Sequence, residues 1–179
     1  MPSPTISKRT WAAIYRLLDR VSPVPFDCGS ICGSACCGKE KDALDPNLGI
    51  YLYPGEEQLF SGDEDWLIWE RFDAQEEGFP PSWQGEVAFV KCIHPPHCPR
   101  PLRPLQCRTF PLAPDISEDG NLALVWNTEE LPYCCPLIEE GMELDPRFVQ
   151  ATYTVWRRLI ENPAIRDLVE EDSEERRME

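Results

Sequence analysis

The chain has 179 residues, with 17 Lys or Arg against 32 Asp or Glu, so its formal net charge is −15. Such an acidic chain has no excess of cationic groups to release counterions from DNA or RNA, which excludes a nucleic-acid partner. It also has no apolar stretch near the roughly 20 residues that a membrane-spanning helix needs, which excludes a membrane partner. An apolar fraction of 42% predicts one folded domain with a core.

The first half of the chain contains signals for several short elements. Apolar residues at helical spacing predict a helix over 10–21, and the Cys-, Gly- and Ser-rich segment 26–38 predicts a loop. The run GIYLY predicts a strand over 49–53, which a Pro–Gly turn ends. Acidic first turns predict a short helix over 56–60 and another over 63–72, where aromatic residues fall on roughly one face.

The second half begins with a predicted strand over 86–92, where apolar residues alternate. Five prolines exclude regular structure over 95–104, because each removes a backbone donor. The segments 107–112 and 122–126 flank an Asp–Gly pair and predict a hairpin. The Asp–Pro pair at 145–146 is a helix cap followed by proline at the first helical position, so a helix is predicted from there.

The chain is expected to end in an Asn–Pro interruption at 162–163, a short final helical turn and a tail. Residues 171–179 have almost nothing to bury and are predicted to form a mobile acidic tail. Residues 1–170 are then a single cysteine-cluster, metal-binding domain. The predicted fold class is α+β, with a small antiparallel sheet, flanking helices and long Cys- and Pro-rich loops around a metal centre.

The N-terminus indicates a compartment. A secretory signal needs an uninterrupted apolar stretch, and Arg16, Asp19 and Arg20 break the only one available near the start. The protein is therefore expected in the cytoplasm, where thiols stay reduced and clustered cysteines bind metals or act in catalysis. Nine is also an odd number of cysteines, so complete pairing into disulfides within the chain would leave one over.

The nine cysteines form three groups, at 28–37, 92–107 and 134–135, in loops rich in glycine and proline. Clustered thiolates are the ligands that zinc and iron–sulfur centres both take. The alternative is packing alone, in which each thiol is a small apolar side chain. His94 and His97 lie between two cysteines of the middle group, where they are either further ligands or exposed loop residues.

The cysteine pattern resembles that of the YkgJ-type cysteine-cluster family. It reads C-x3-C-x3-CC, then C-x5-C, then RPLQCRTFPL, then a late CP, and extends from Cys28 to about Pro136. The most specific part is R-P-x-x-C-R-x-F-P, at 103–111, and a Pro–Gly–Glu element at 54–56 also matches. Members of that family are described as zinc- or iron-chelating domains.

The resemblance implies eight metal ligands, with Cys135 preferred to Cys134 because it precedes Pro136 as in the family's terminal CP. The implied ligands are Cys28, Cys32, Cys36, Cys37, Cys92, Cys98, Cys107 and Cys135. Arg103 and Arg108 flank one of them, and either donate hydrogen bonds to thiolates or pair with acidic side chains.

The resulting hypothesis is a metal-binding protein whose zinc is structural and holds the long loops together. The alternative is an iron–sulfur protein with a redox or methyl-transfer-related enzymatic role, since a similar segment is found in flagellin lysine methylases. Metal storage is a third possibility, which six tryptophans and well-formed helices disfavour. The sequence identifies no catalytic residue, which favours a structural metal over an enzyme.

Overall fold

The computed structural model of the protein describes residues 4–34, 36, 49–93, 98–128 and 134–179. The α-helices are α1 (Lys8–Leu18), α2 (Gly29–Cys32), α3 (Leu105–Thr109), α4 (Pro136–Glu139), α5 (Pro146–Leu159) and α6 (Pro163–Met178). The strands are β1 (Ile50–Tyr51), β2 (Leu67–Asp73), β3 (Glu86–Cys92), β4 (Leu112–Ile116) and β5 (Leu122–Trp126). Short 3-10 turns lie at Glu56–Leu59 and Arg100–Leu102.

The strands form two small antiparallel sheets. The first has the order β1-β3-β2, with Trp69 of β2 opposite Val90 of β3. The second is the hairpin β4-β5, with Pro114 opposite Leu124. Helices and small antiparallel sheets confirm the predicted α+β class, while the metal centre of that prediction stays a prediction.

The predicted helix over 63–72 is wrong, because most of that segment is strand β2. Its aromatic residues occur at a helical spacing of three, but pairing with β3 selects the strand. Phe72 packs on Phe89 across the two strands, with ring centroids 5.6 Å apart. The Trp69 indole N–H donates to the carboxylate of Glu64 at 3.1 Å, so this acidic residue closes a turn before the strand and does not start a helix.

The predicted hairpin is confirmed, but its first strand begins later than expected. Residues 107–109 belong to α3, and β4 starts at Leu112. Two features favour a helical turn here. Pro104 occupies the N-cap, and the next residue, Leu105, is completely buried in the core. The loop predicted over 26–38 likewise includes the short helix α2.

The C-terminal helices differ in how well their lengths are predicted. Helix α5 begins as expected, with the Asp145 carboxylate accepting a hydrogen bond from the Arg147 backbone N–H. Helix α6 reaches Met178, so the short final turn is wrong and residues 171–178 are helical. Ser173 is completely buried and Arg176 donates to the Pro114 carbonyl at 2.7 Å, which attaches this end of the helix to β4.

The main core lies among α1, α5, α6 and residues of the sheets. Trp11 of α1 and Trp156 of α5 are buried in it, and the Tyr53 ring packs edge-on against Trp156 at 5.5 Å. A second cluster lies at the three-stranded sheet, and a third contains Cys28 and Cys135. Within the described residues, no helix is long and apolar enough to cross a membrane.

Candidate metal centre

Four cysteines from two distant segments line one pocket. Cys28 and Cys36 come from the N-terminal group, and Cys134 and Cys135 come from the C-terminal pair. The remaining walls are mostly apolar and consist of Ile31, Phe110, Pro136 and Leu137. The fold therefore brings the first and last cysteine groups to one pocket, as expected if thiolates from two distant segments share a site.

The N-terminal side of the pocket is a tight turn around α2. The Asp27 carboxylate accepts a hydrogen bond from the Gly29 N–H at 3.1 Å, and the Ser34 N–H donates to the Gly29 carbonyl at 3.0 Å. Gly33 ends the helix with a φ of 64°, which glycine adopts without strain. A side chain at Gly29 would approach the Ser34 hydroxyl to 2.6 Å, so the compact turn beside Cys28 depends on the absence of one.

The C-terminal side is the start of α4. Cys135 is buried with Val24 and Leu137, whereas Cys134 is exposed. A hydrogen bond to Glu139, together with its negative charge, raises the pKa of the Cys134 thiol. The two neighbours thus differ in environment, since Cys135 faces apolar side chains and Cys134 faces a carboxylate and solvent.

The described cysteines of the middle group lie elsewhere. Cys92 is exposed at the end of β3, opposite Leu67. Cys98 is half-buried against the cluster at the three-stranded sheet, and Cys107 is exposed on α3. None of these three lines the four-cysteine pocket.

Two members of the predicted ligand set, Cys37 and the side chain of Cys32, lie outside the described residues, and so do His94 and His97, whose ligation was left open. In the part of the chain that the structure describes, no three His, Cys, Asp or Glu side chains are arranged to hold one metal ion. The eight-ligand set therefore stays a prediction.

Arg108 pairs with an acidic side chain, the second of the two roles considered for it. Its Nη1 donates to the Asp19 carboxylate at 2.5 Å, and its guanidinium lies 4.1 Å from the centre of the Tyr15 ring. The Arg108 side chain is only 5% exposed, so this is not an ordinary surface pair. Its Nη2 also donates to the Arg100 carbonyl at 2.9 Å, and its Nε to the Arg103 carbonyl.

Sequence reasoning did not single out Glu56 as a buried carboxylate. It accepts hydrogen bonds from the Tyr15 hydroxyl at 2.6 Å, the Leu105 N–H at 2.7 Å and the Tyr53 N–H at 3.0 Å. Burial raises the pKa of Glu56, and these hydrogen bonds oppose that shift. The available signal was the Pro–Gly–Glu element, in which Gly55 has a φ of 90° that turns the chain towards the core.

Comparison with known proteins gives no match: no family model, no curated protein and no solved structure matches the chain. The resemblance to the YkgJ-type family rests on the sequence motifs alone and stays a prediction.

Proposed function

We propose that this protein binds zinc through its clustered cysteine thiolates, and that the metal is structural. The observation that carries the proposal is the single pocket that Cys28, Cys36, Cys134 and Cys135 line. Four thiols from two distant segments border this pocket, and thiolates are the soft donors that zinc takes in structural sites. No three of them are arranged around one ion in the structure, so metal binding would draw them together. The YkgJ-type resemblance and a cytoplasmic location, where the thiols remain reduced, belong to the same proposal.

The surroundings of the pocket favour a structural role over a catalytic one. Cys28 and Cys135 are the N-cap residues of α2 and α4, helices of only four residues each. Elements this short do not persist on their own in water. A metal ion shared by the two segments would supply a link that the small apolar cluster of Val24, Cys135 and Leu137 supplies only in part.

The proposal is tested by elemental analysis and a visible spectrum on protein purified without oxygen. Zinc bound at a fixed ratio to protein, in a colourless sample, is the expected result. Iron together with a brown visible absorption would instead show that the cysteines hold an iron–sulfur cluster and not zinc. Cys28→Ser and Cys135→Ser should each lower the bound metal, because each removes a thiolate from the pocket.

Val24→Ala is the matched control, since it opens space in the same apolar cluster without removing a thiol. It should leave the metal content unchanged. Absence of bound metal in the wild-type protein, with all thiols reactive in the folded state, would overturn the proposal. Equal metal loss in Val24→Ala and Cys135→Ser would instead show that packing, not thiolate ligation, retains the metal.

A further inference from the structure

The guanidinium of Arg108 joins three separate parts of the molecule. Its Nη1 contacts helix α1, through the Asp19 carboxylate and the Tyr15 carbonyl at 3.5 Å. Its other nitrogens donate to the carbonyls of Arg100, the first residue of the 3-10 turn before α3, and of Arg103, the residue that caps that turn. A buried guanidinium with donors in a fixed fork suits such a role, because each acceptor fixes one direction of the group.

The 100–110 segment that Arg108 holds lies next to the four-cysteine pocket at two places. Arg108 follows Cys107 directly, and Phe110, two residues further on, forms a wall of the four-cysteine pocket. In the other direction, the Arg100 side chain lies 3.8 Å from the carboxylate of Asp27, the residue before Cys28. Moving this segment would therefore displace a pocket wall and a contact of the turn that carries Cys28.

The remaining contacts of α3 fix the same segment from its other side. The Leu105 N–H donates to Glu56, and the Gln106 side-chain amide donates to the Tyr51 carbonyl at 2.8 Å. Three of the five residues in α3 thus hydrogen-bond to different elements, while Cys107 on the same helix is exposed. Hydrogen bonds from one helical turn to several elements are the arrangement expected around a ligand whose position matters.

We propose that Arg108 is a positioning residue for the cysteine metal centre. It holds the 100–110 segment against α1, and so fixes the Phe110 wall of the four-cysteine pocket and the thiol of Cys107, a predicted ligand that lies outside that pocket. The inference rests on the proposed metal binding and adds to it a residue that contributes to metal affinity without touching the metal.

Arg176 offers a matched control. It is also a largely buried arginine, 15% exposed, whose Nη2 donates to the Pro114 carbonyl at 2.7 Å and to the Asp115 carboxylate at 3.3 Å. Its contacts join α6 to β4, and none of Arg176, Pro114 and Asp115 lines the four-cysteine pocket. Replacing Arg176 therefore removes a comparable set of interactions without altering the segment that carries Cys107.

The test compares wild-type protein with Arg108→Gln, Arg108→Lys and Arg176→Gln by zinc competition with a chromogenic chelator. Folding of each variant is checked by far-ultraviolet circular dichroism and urea denaturation. Arg108→Gln should lower zinc affinity by about 10- to 100-fold, the usual effect of losing a residue that orients metal ligands. Arg108→Lys should stay weakened, because one ammonium group cannot reach all the acceptors, and Arg176→Gln should remain within about twofold of wild type.

Cobalt(II) substitution gives a second readout, because its ligand-field absorption bands report the geometry of the thiolate site. These bands should change in the Arg108 variants and match wild type in Arg176→Gln. If Arg108→Gln does not fold, Arg108→Lys and Asp19→Asn carry the test, since both keep more of the contacts.

Unchanged zinc affinity and cobalt spectra in the Arg108 variants would overturn the positioning role while leaving metal binding intact. Equal weakening in Arg176→Gln would also overturn it, since the effect would then be one of general stability. A wild-type protein that takes up neither zinc nor cobalt would instead refute the proposed function, and this inference with it.

Discussion

The Tyr15 hydroxyl donates a hydrogen bond to the Glu56 carboxylate at 2.6 Å, between residues 41 positions apart. The same carboxylate accepts the backbone N–H groups of Tyr53 and Leu105, so one buried side chain connects α1, the segment after β1 and the start of α3. A buried carboxylate with fewer partners would be costly, because burial removes its hydration. We infer that Glu56 fixes where α3, and therefore Cys107, lies relative to α1.

Tyr15→Phe should destabilise the protein by about 1–3 kcal/mol, because it removes one donor from a buried carboxylate. Urea denaturation measures the change. Tyr153→Phe is the control, since Tyr153 is half-buried on α5, and it should change stability by less than about 0.5 kcal/mol. Equal effects of the two substitutions would show that the Tyr15 hydroxyl contributes nothing specific.

Gly55→Ala should be more damaging than its backbone angle alone would predict. Gly55 has a φ of 90°, and a Cβ there would lie 2.1 Å from the Ile6 carbonyl oxygen. Gly62 has a nearly identical φ of 89°, but a Cβ there would meet nothing within 4 Å. Gly62→Ala should therefore cost only the backbone strain, about 1–2 kcal/mol, and Gly55→Ala more than about 3 kcal/mol.

Thermal or urea unfolding of both glycine variants measures that difference. A similar loss in both would mean that the N-terminal segment moves away from the turn at little cost, and that the contact between Ile6 and Gly55 is unimportant for stability.

The elements predicted correctly are those whose signal is local. Helix α5 begins at an Asp–Pro pair that caps a helix in any context, and the alternation in β3 indicates a strand by itself. Strand β2 was missed because Trp66, Trp69 and Phe72 also fit one face of a helix, and only pairing with β3 decides between the two. The length of α6 is not predictable from the sequence, because the burial of Ser173 depends on the position of β4.

The site divides in the same way. Cysteine spacing is visible in the sequence and predicts a metal centre, and the structure brings Cys28, Cys36, Cys134 and Cys135 to one pocket. The role of Glu56 was not predictable, and for Arg108 the sequence left two roles open, because each depends on burial and on partners far away in the chain. In an acidic sequence, one more glutamate carries no signal that it is buried.

Ser173→Ala should destabilise the protein by about 1–3 kcal/mol, although the residue lies in the segment predicted to be a tail. The Ser173 hydroxyl accepts the Ile116 N–H at 3.0 Å and donates to the Val169 carbonyl at 2.6 Å. Alanine would leave a buried N–H of β4 without its acceptor. Glu174→Ala, at an exposed neighbouring position, should have almost no effect in the same urea titration.

If Ser173→Ala and Glu174→Ala were both neutral, the last turns of α6 would contribute nothing to stability. A loosely attached tail would then describe residues 171–178 in solution better than an attached helix does.

Zinc removal should loosen the cysteine-bearing segments before it affects α5. We expect a chelator to speed amide hydrogen exchange in 26–34 and 134–139, because a metal ion in the four-cysteine pocket would hold these two segments together. Amides within α5 should keep their protection, since that helix is buried in the main core through residues such as Trp156 and Leu159. Mass spectrometry of exchanged peptides measures both, and unchanged exchange in both segments would contradict a structural metal.

The pH dependence of stability should identify the buried Glu56. Its pKa is raised by burial above the ordinary 4.5, so above that pH the folded protein holds a proton that the unfolded chain has released. Stability therefore decreases as the pH rises from 4.5 through the folded-state pKa. Glutamine does not titrate, so the stability of wild type relative to Glu56→Gln should fall between about pH 5 and about pH 7.

Urea denaturation of both proteins at the two pH values measures this relative change, in which the titration of the thiols is common to both and cancels. Glu171→Gln is the control, because burial and nearby acidic residues also raise the pKa of Glu171, but that side chain lies near the surface of α6. The effect of Glu171→Gln should change with pH in the same direction but by less, because the Glu171 side chain is exposed and that of Glu56 is completely buried. If wild type instead became more stable relative to Glu56→Gln as the pH rises, the three hydrogen-bond donors would outweigh desolvation. Glu56 would then stabilise the fold in its ionised form.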